Sequence, residues 1–393
     1  MDFGFRISDF GWIAAALLVA SPAFGAEESK LTRDGGFWVQ TITGSDAAGP
    51  GGRLRVSTRG PVTVRGGAED LVRYTVTKRV KARSEAEARR LLRQFLVNSR
   101  RQGDLYTLTI AHGGEGWRSA DLSLTAPRGF REVLLETHGG KVDAADLDGT
   151  VHVQTGGGGI KLDRITGPVT ARTAGGEVAL GTMGSSVRCT SAGGPIRAEI
   201  IRGEAVLETA GGDITAGEVG GPLRASTAGG GIRVTRAGST VSVNTAGGAI
   251  DVGSARGMVV AESSSGPIQI GAAGGVQCET GGGGIRLSNA SGSLRATTAV
   301  GNVIAELLKG GAPEDSFLVT GMGDITVFVP SNLGIRILAR IESAGAKRIV
   351  SDFPAVKMKV NGPLATAEGA INGGGPLFRL SSSGGTIYIR RQK

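Results

Sequence analysis

The chain has 393 residues, a formal net charge of +9, 68 glycines and only two cysteines. That length admits two or three ordinary domains or one repetitive body, and that much glycine admits collagen, disorder or regular tight turns. Collagen is excluded because glycine does not recur at every third position, and disorder because the glycines are periodic and separated by Val, Ile and Leu.

Residues 1–25 are predicted to be a secretion signal. Arg6 precedes the apolar run WIAAALLVA, and SPAFGA offers small residues at Ala23 and Gly25, which places the cut after Gly25. The run is short for a spanning helix, and no transmembrane segment is expected after cleavage. Removing one Arg and two Asp leaves a mature charge of +10. The expectation is an exported protein, periplasmic or at the cell surface and beyond. A basic exported chain can meet anionic glycans, lipid headgroups or nucleic acid.

Residues 26–136 form a β-rich segment with strand-like stretches LRVST, PVTVR, LVRYTVTKRV, LYTLTI and ADLSLTA. One amphipathic helix is predicted over 84–98. Ser84 and Glu87 make a capping box. Ala88, Leu91, Leu92, Phe95 and Leu96 make an apolar stripe, with Arg89, Arg90 and Arg93 off it. The arginines could meet anionic lipid. The reading preferred here is that the stripe packs on a sheet and covers an open solenoid end.

From 137 to 305 a Thr or Ser recurs at Thr137, Thr155, Thr173, Ser191, Thr209, Thr227, Thr245 and Ser263, every step being eighteen residues. Thr280 and Thr298 continue the series after one step of seventeen. Such self-similarity marks a repeat architecture. Each unit splits into two halves, each a Gly turn followed by alternating apolar residues, the period of a strand with one buried face. One unit is therefore one coil of an all-β, parallel β-solenoid with two short strands per coil. One sheet should bury Val151 and Val153, Val169 and Ala171, Val187 and Cys189, and their successors. The other should bury Ile160 and Leu162, Val178 and Leu180, Ile196 and Ala198, through Ile250 and Val252. Gly157, Gly175, Gly193, Gly211, Gly229 and Gly247 are assigned to corners that need φ > 0 or close stacking. The adjacent Thr or Ser should bond the corner backbone and the neighbouring coil. Cys189 and Cys278 fall on the same inward column five coils apart, roughly 24 Å, too far for a disulfide.

Residues 306–393 repeat less regularly. GDITVFV, TAEGAI and SSGGTIYI look like further coil pieces, interrupted by AKRIVSDFPAVKMKVNGP. These are predicted to be irregular coils and a C-terminal cap.

The stretch from 120 to 160, ADLSLTAPRGFREVLLETHGGKVDAADLDGTVHVQTGGGGI, followed by repeated T-x-G-G-x-I units and the final SSGGTIYI, resembles a bacterial β-strand-repeat family of unknown function often labelled putative adhesin. The resemblance covers about 120–390 and implies a fold. It carries no site residues to this chain.

The chemistry-bearing candidates are few. Glu262 and Glu279 occupy equivalent outward positions on adjacent coils, ~4.8 Å apart in backbone, close to the carboxylate separation of retaining glycosidases. No Phe, Tyr or Trp occurs from 131 to 316, which disfavours sugar stacking there. The GGxGxDx aspartate of calcium-binding β-rolls is not repeated, no His/Cys set has metal-ligand spacing, and no cofactor motif is present. Nucleic acid is disfavoured by the export signal and the scarcity of aromatics. The strongest surface feature is an outward basic column, Lys161, Arg197, Arg233 and Arg286, interrupted by Asp143 and Asp251. Arg188, Arg224 and Arg295 lie on the opposite sheet. These features favour a non-enzymatic, adhesin-like or structural surface protein with a repetitive binding face, its partner an anionic polysaccharide or an envelope protein. The alternatives are an envelope scaffold that binds a protein through the N-terminal segment and a polysaccharide lyase or hydrolase. The sequence leaves oligomeric state open.

Overall fold

The computed structural model describes residues 27–49, 51–113, 118–311, 313–343 and 348–392. The signal assignment at 1–25 lies outside them. Two sheets run along a rod, and each coil contributes one strand to each. Thr150–Thr155 and Ile160–Ile165 make one coil. The next follows in parallel register eighteen residues on, with Val151 opposite Val169 and Ile160 opposite Val178. Eleven such turns run from the coil of Glu132–Thr137 and Val142–Leu147 to that of Ser316–Met322 and Ile325–Val329.

The inward columns are those the alternation requires. Val169, Ala171, Val187, Cys189, Ile196, Ala198, Ile232 and Val234 are all buried in one continuous core. Strict alternation fails at one place. In Ile160–Ile165 and its successors the fourth and fifth residues both face outward, and the sixth turns back in. Ile165, Met183, Ile201, Val219 and Ala237 thereby line the side wall between the sheets. A two-sheet interior would otherwise be open along that edge.

Inside the opposite corner runs a buried hydrogen-bonded ladder. Thr155 Oγ1 donates to the carbonyl of Gly140 at 3.0 Å and accepts from the N–H of Gly158 at 3.1 Å. Thr173 repeats this with Gly158 and Gly176 at 2.9 and 3.1 Å. Each glycine thus passes the chain of bonds to the next coil, an arrangement in which neighbouring bonds polarise one another. The tight glycine is one residue later than the sequence suggested. At Gly157 and Gly175 an added Cβ would meet nothing within 4 Å, and at Gly211, Gly229 and Gly247 its nearest neighbour lies 3.4–3.5 Å away. Gly193 is similarly open at 4.0 Å, and none of the six has positive φ. A Cβ on Gly158, Gly176, Gly194, Gly212, Gly230 or Gly248 would instead overlap the backbone of the preceding coil. The constraint is close approach of backbone to backbone, not backbone handedness.

Both ends depart from chain order. Arg53–Thr58 and Val62–Gly67 form a coil in register with Glu132–Thr137 and Val142–Leu147, so Thr58 and Gly60 extend the ladder. The intervening chain stacks on the far side of that coil as Leu105–His112 and Arg118–Pro127. Antiparallel Phe95–Gln102 and Leu71–Val80 then pair with those strands. At the other end Leu377–Ser382 and Ile387–Arg391 insert between Ser316–Met322/Ile325–Val329 and Ile335–Ile341/Ile349–Ser351. Leu364–Ile371, which contains TAEGAI, is an antiparallel cap strand and not a coil piece, and Lys357–Asn361 pairs outside it. The ladder stops where Ile110 follows the Ser57–Thr109 pair, one position on toward Thr58, and where Ile341 aligns with Ser382, both isoleucines buried.

The helix is shorter than its stripe. It spans Glu85–Leu92, with Ser84 as N-cap accepting from Glu87 N–H at 3.2 Å. Ala88, Leu91 and Leu92 are buried in the core against Leu71–Val80 and Phe37–Ala47. Phe95 and Leu96, expected on the helix, lie on the strand Phe95–Gln102, and Leu96 is 68% exposed. Eight residue pairs with Leu105–His112, closed by a two-residue Gly103–Asp104 loop with Gly103 at φ 61°, outweigh one more helical turn. Among the described residues no helix is long and apolar enough to cross a membrane.

Candidate functional site

The four residues of the predicted basic stripe share one outward column. Its order along the rod is Asp143, Lys161, Ala179, Arg197, Thr215, Arg233, Asp251, Gln269 and Arg286. All four cations are exposed. Two are neutralised: Arg197 pairs with Glu177 and Arg233 with Asp251 at 3.2 Å. Lys161 and Arg286 have no ion-pair partner among the described residues. They are seven coils apart, ~34 Å, so the column is a dilute, half-compensated line of charge.

Glu262 and Glu279 are direct neighbours on adjacent coils, both exposed, with Asn244 Nδ2 donating to Glu262 Oε2 at 3.2 Å. Among the described residues, no group of three His, Cys, Asp or Glu is placed to hold a metal ion.

A denser ion-pair network lies near the N-terminal end. Arg164 bridges Asp146 at 2.6 Å and also Asp163, and Arg128 pairs with Asp148 at 2.9 Å. The Arg164 guanidinium holds the Asp146 carboxyl below its usual range, and Arg128 does the same for Asp148. Two shallow hollows flank the N-terminal cap. One, of about 270 Å³, is lined by Gly52, Arg101, Asp104, Tyr106 and Phe130. In it the buried Tyr106 phenol donates to Asp46 at 2.6 Å, and burial raises its pKa above the usual range. The other, of about 330 Å³, exposes an edge of the Lys78–Glu28 pair, 3.2 Å long, with the lysine side chain buried.

Sequence reasoning missed a second basic face, on the outside of the opposite sheet toward the C-terminal end. Its first column runs Gln277, Arg295, Phe317, Arg379, Leu338, Glu368 and Lys357. The second runs Glu279, Thr297, Val319, Ser381, Arg340, Thr366 and Lys359. The Arg295 and Arg379 guanidinium carbons stand 5.1 and 5.2 Å from the Phe317 ring centre. Arg295 was legible as an outward residue. Arg379 was not, because its strand enters the stack out of chain order.

No protein-family profile matches the chain, and no curated protein matches it. Among the solved structures similar to it at low levels are three adhesion-type proteins by name. One is a putative cell adhesion protein from Clostridium sporogenes, 10% identical, covering 89% of this chain and 99% of that one with a TM-score of 0.18. Another is a putative adhesin from Bacteroides fragilis, 12% identical, covering 90% and 97% with a TM-score of 0.20. The third is a putative adhesin from Parabacteroides distasonis, 10% identical, covering 89% and 96% with a TM-score of 0.20.

Proposed function

We propose that the protein is an exported, non-enzymatic display rod, an adhesin-like or structural element of the cell envelope or surface. One observation carries the reading. The outward side chains of both sheets stay aligned from coil to coil over eleven turns, with one register shift between Leu287 and Ala290, while the interior is filled by aliphatic side chains and the Thr–Gly ladder. A stiff rod of that kind repeats a weak contact at fixed spacing, and each contact made raises the effective concentration for the next. Its partner is an anionic polysaccharide or an envelope protein, and the rod requires no cofactor for this role. Export is supported by the leader-like composition of residues 1–25.

Cell fractionation, retention on immobilised polygalacturonate against neutral dextran, and co-purification test the reading. Envelope location with salt-sensitive retention or a stable protein partner is expected. A cytoplasmic location, or turnover of the polymer, would overturn it.

A further inference from the structure

We propose that the outer face built from Arg295, Phe317, Arg379, Arg340, Lys357 and Lys359 is a binding site for a linear anionic polysaccharide, and that it takes precedence over the Lys161 column. The proposal rests on the display-rod reading and names the part of the rod that makes the contact.

Charge is the first argument. Arg295, Arg379, Lys357 and Lys359 are exposed and have no ion-pair partner among the described residues. Arg340 lies 4.0 Å from Glu342, and Glu368 is the one acid in the two columns between Thr297 and Lys359. In the Lys161 column two of four cations are already neutralised. A face with this excess of positive charge repels a second copy of itself, so its occupant is a polyanion.

Shape and pre-organisation are the second argument. Arg295 and Arg379 flank Phe317 on alternate strands, ~9.6 Å apart, and Lys357 lies five strands from Arg295, ~24 Å along the rod. The two columns are only ~6.6 Å apart. The positive charge is therefore a narrow band, widened only at Arg336, whose guanidinium donates to the Gly375 carbonyl at 3.1 Å, and it suits one extended chain better than the plane of a bilayer. Both faces of the Phe317 ring carry a guanidinium. Contact with the ring restricts both guanidinium groups, so less side-chain freedom is lost when they form paired hydrogen bonds to carboxylate or sulfate. The same coverage leaves neither ring face free for a nucleobase, which argues against single-stranded nucleic acid.

The test uses the full chain on immobilised polygalacturonate, with neutral dextran, a single-stranded oligonucleotide and phosphatidylglycerol vesicles in parallel. Arg295→Gln with Arg379→Gln is expected to weaken retention about tenfold, ~0.7 kcal/mol per guanidinium. Phe317→Leu keeps the apolar bulk but frees the guanidinia, and should cost about threefold. Lys161→Gln, Arg197→Gln and Arg233→Gln together should change retention less than about twofold. Unaltered melting of each variant shows that the rod is intact. If the wild-type chain binds but the Arg295/Arg379 variant binds equally well, this placement is wrong and the display-rod reading stands. If the wild type ignores polygalacturonate, the polysaccharide branch of that reading falls too. Binding confined to the oligonucleotide or the vesicles would overturn the choice of partner.

Discussion

Gly176→Ala, set against Gly175→Ala, tests the internal ladder at a cost of one methyl group each. Neither glycine has positive φ, so backbone handedness does not separate them. An alanine Cβ at 175 meets nothing within 4 Å, whereas one at 176 would overlap the Gly158 carbonyl and the following peptide nitrogen. The obstacle is the backbone of the preceding coil, which cannot rotate away. Relieving it must push two coils apart where Thr173 Oγ1 donates to Gly158 at 2.9 Å and Gly176 N–H donates to Thr173 at 3.1 Å. Overpacking of this kind costs about 1–3 kcal/mol, and each weakened bond about 1 kcal/mol. The expected loss is about 3–5 kcal/mol for Gly176→Ala. For Gly175→Ala it is near zero, or a gain of up to ~1 kcal/mol from the stiffer unfolded chain. A long repeat need not unfold in one step, so the readout is amide hydrogen exchange followed by peptide, which reports local opening. Protection should fall in coils 151–201 for Gly176→Ala alone. Equal exchange in the two variants would refute the close-approach account of the repeated glycines.

The face assignment is checked by Ile232→Asp and Arg233→Asp. Ile232 is 1% exposed and the aspartate would be a buried, unpaired charge, so a loss of about 3–5 kcal/mol is expected. Arg233 is exposed and contributes one surface pair with Asp251, so its loss should stay under ~1 kcal/mol. Comparable losses would reject the assignment. The two thiols should react with alkylating agents only after denaturation, because Cys189 and Cys278 are free and buried. Burial raises both pKa values from 9.0 to about 12. Between these values the unfolded chain releases protons that the folded chain retains, so stability should fall as pH rises through that window. Cys189→Ala with Cys278→Ala should flatten the slope, measured by urea titration at pH 9 to 11. An unchanged slope would show that the thiols do not carry it.

The eighteen-residue period, the two strands per coil and both inward columns follow from the sequence, because in a parallel stack each residue meets the residue one period away. Contact order along the rod is therefore written directly in the repeat. The same logic placed Cys189 and Cys278 on one column and Lys161, Arg197, Arg233 and Arg286 on another. The sequence could not say which of two adjacent glycines is indispensable, since that depends on where a neighbouring carbonyl points. It also overextended the helix, because the apolar stripe through Phe95 and Leu96 gives no sign of the Leu105–His112 partner that claims those residues. The ends lay furthest out of reach. Residues 53–67 and 377–391 are ordinary coils by composition, yet each is inserted between coils from other parts of the chain. Pairing by unpaired sheet edges decides that order, and an edge exists only once the rest of the sheet has formed. The basic face around Phe317 depends on this insertion, since it sets Arg379 across the ring from Arg295.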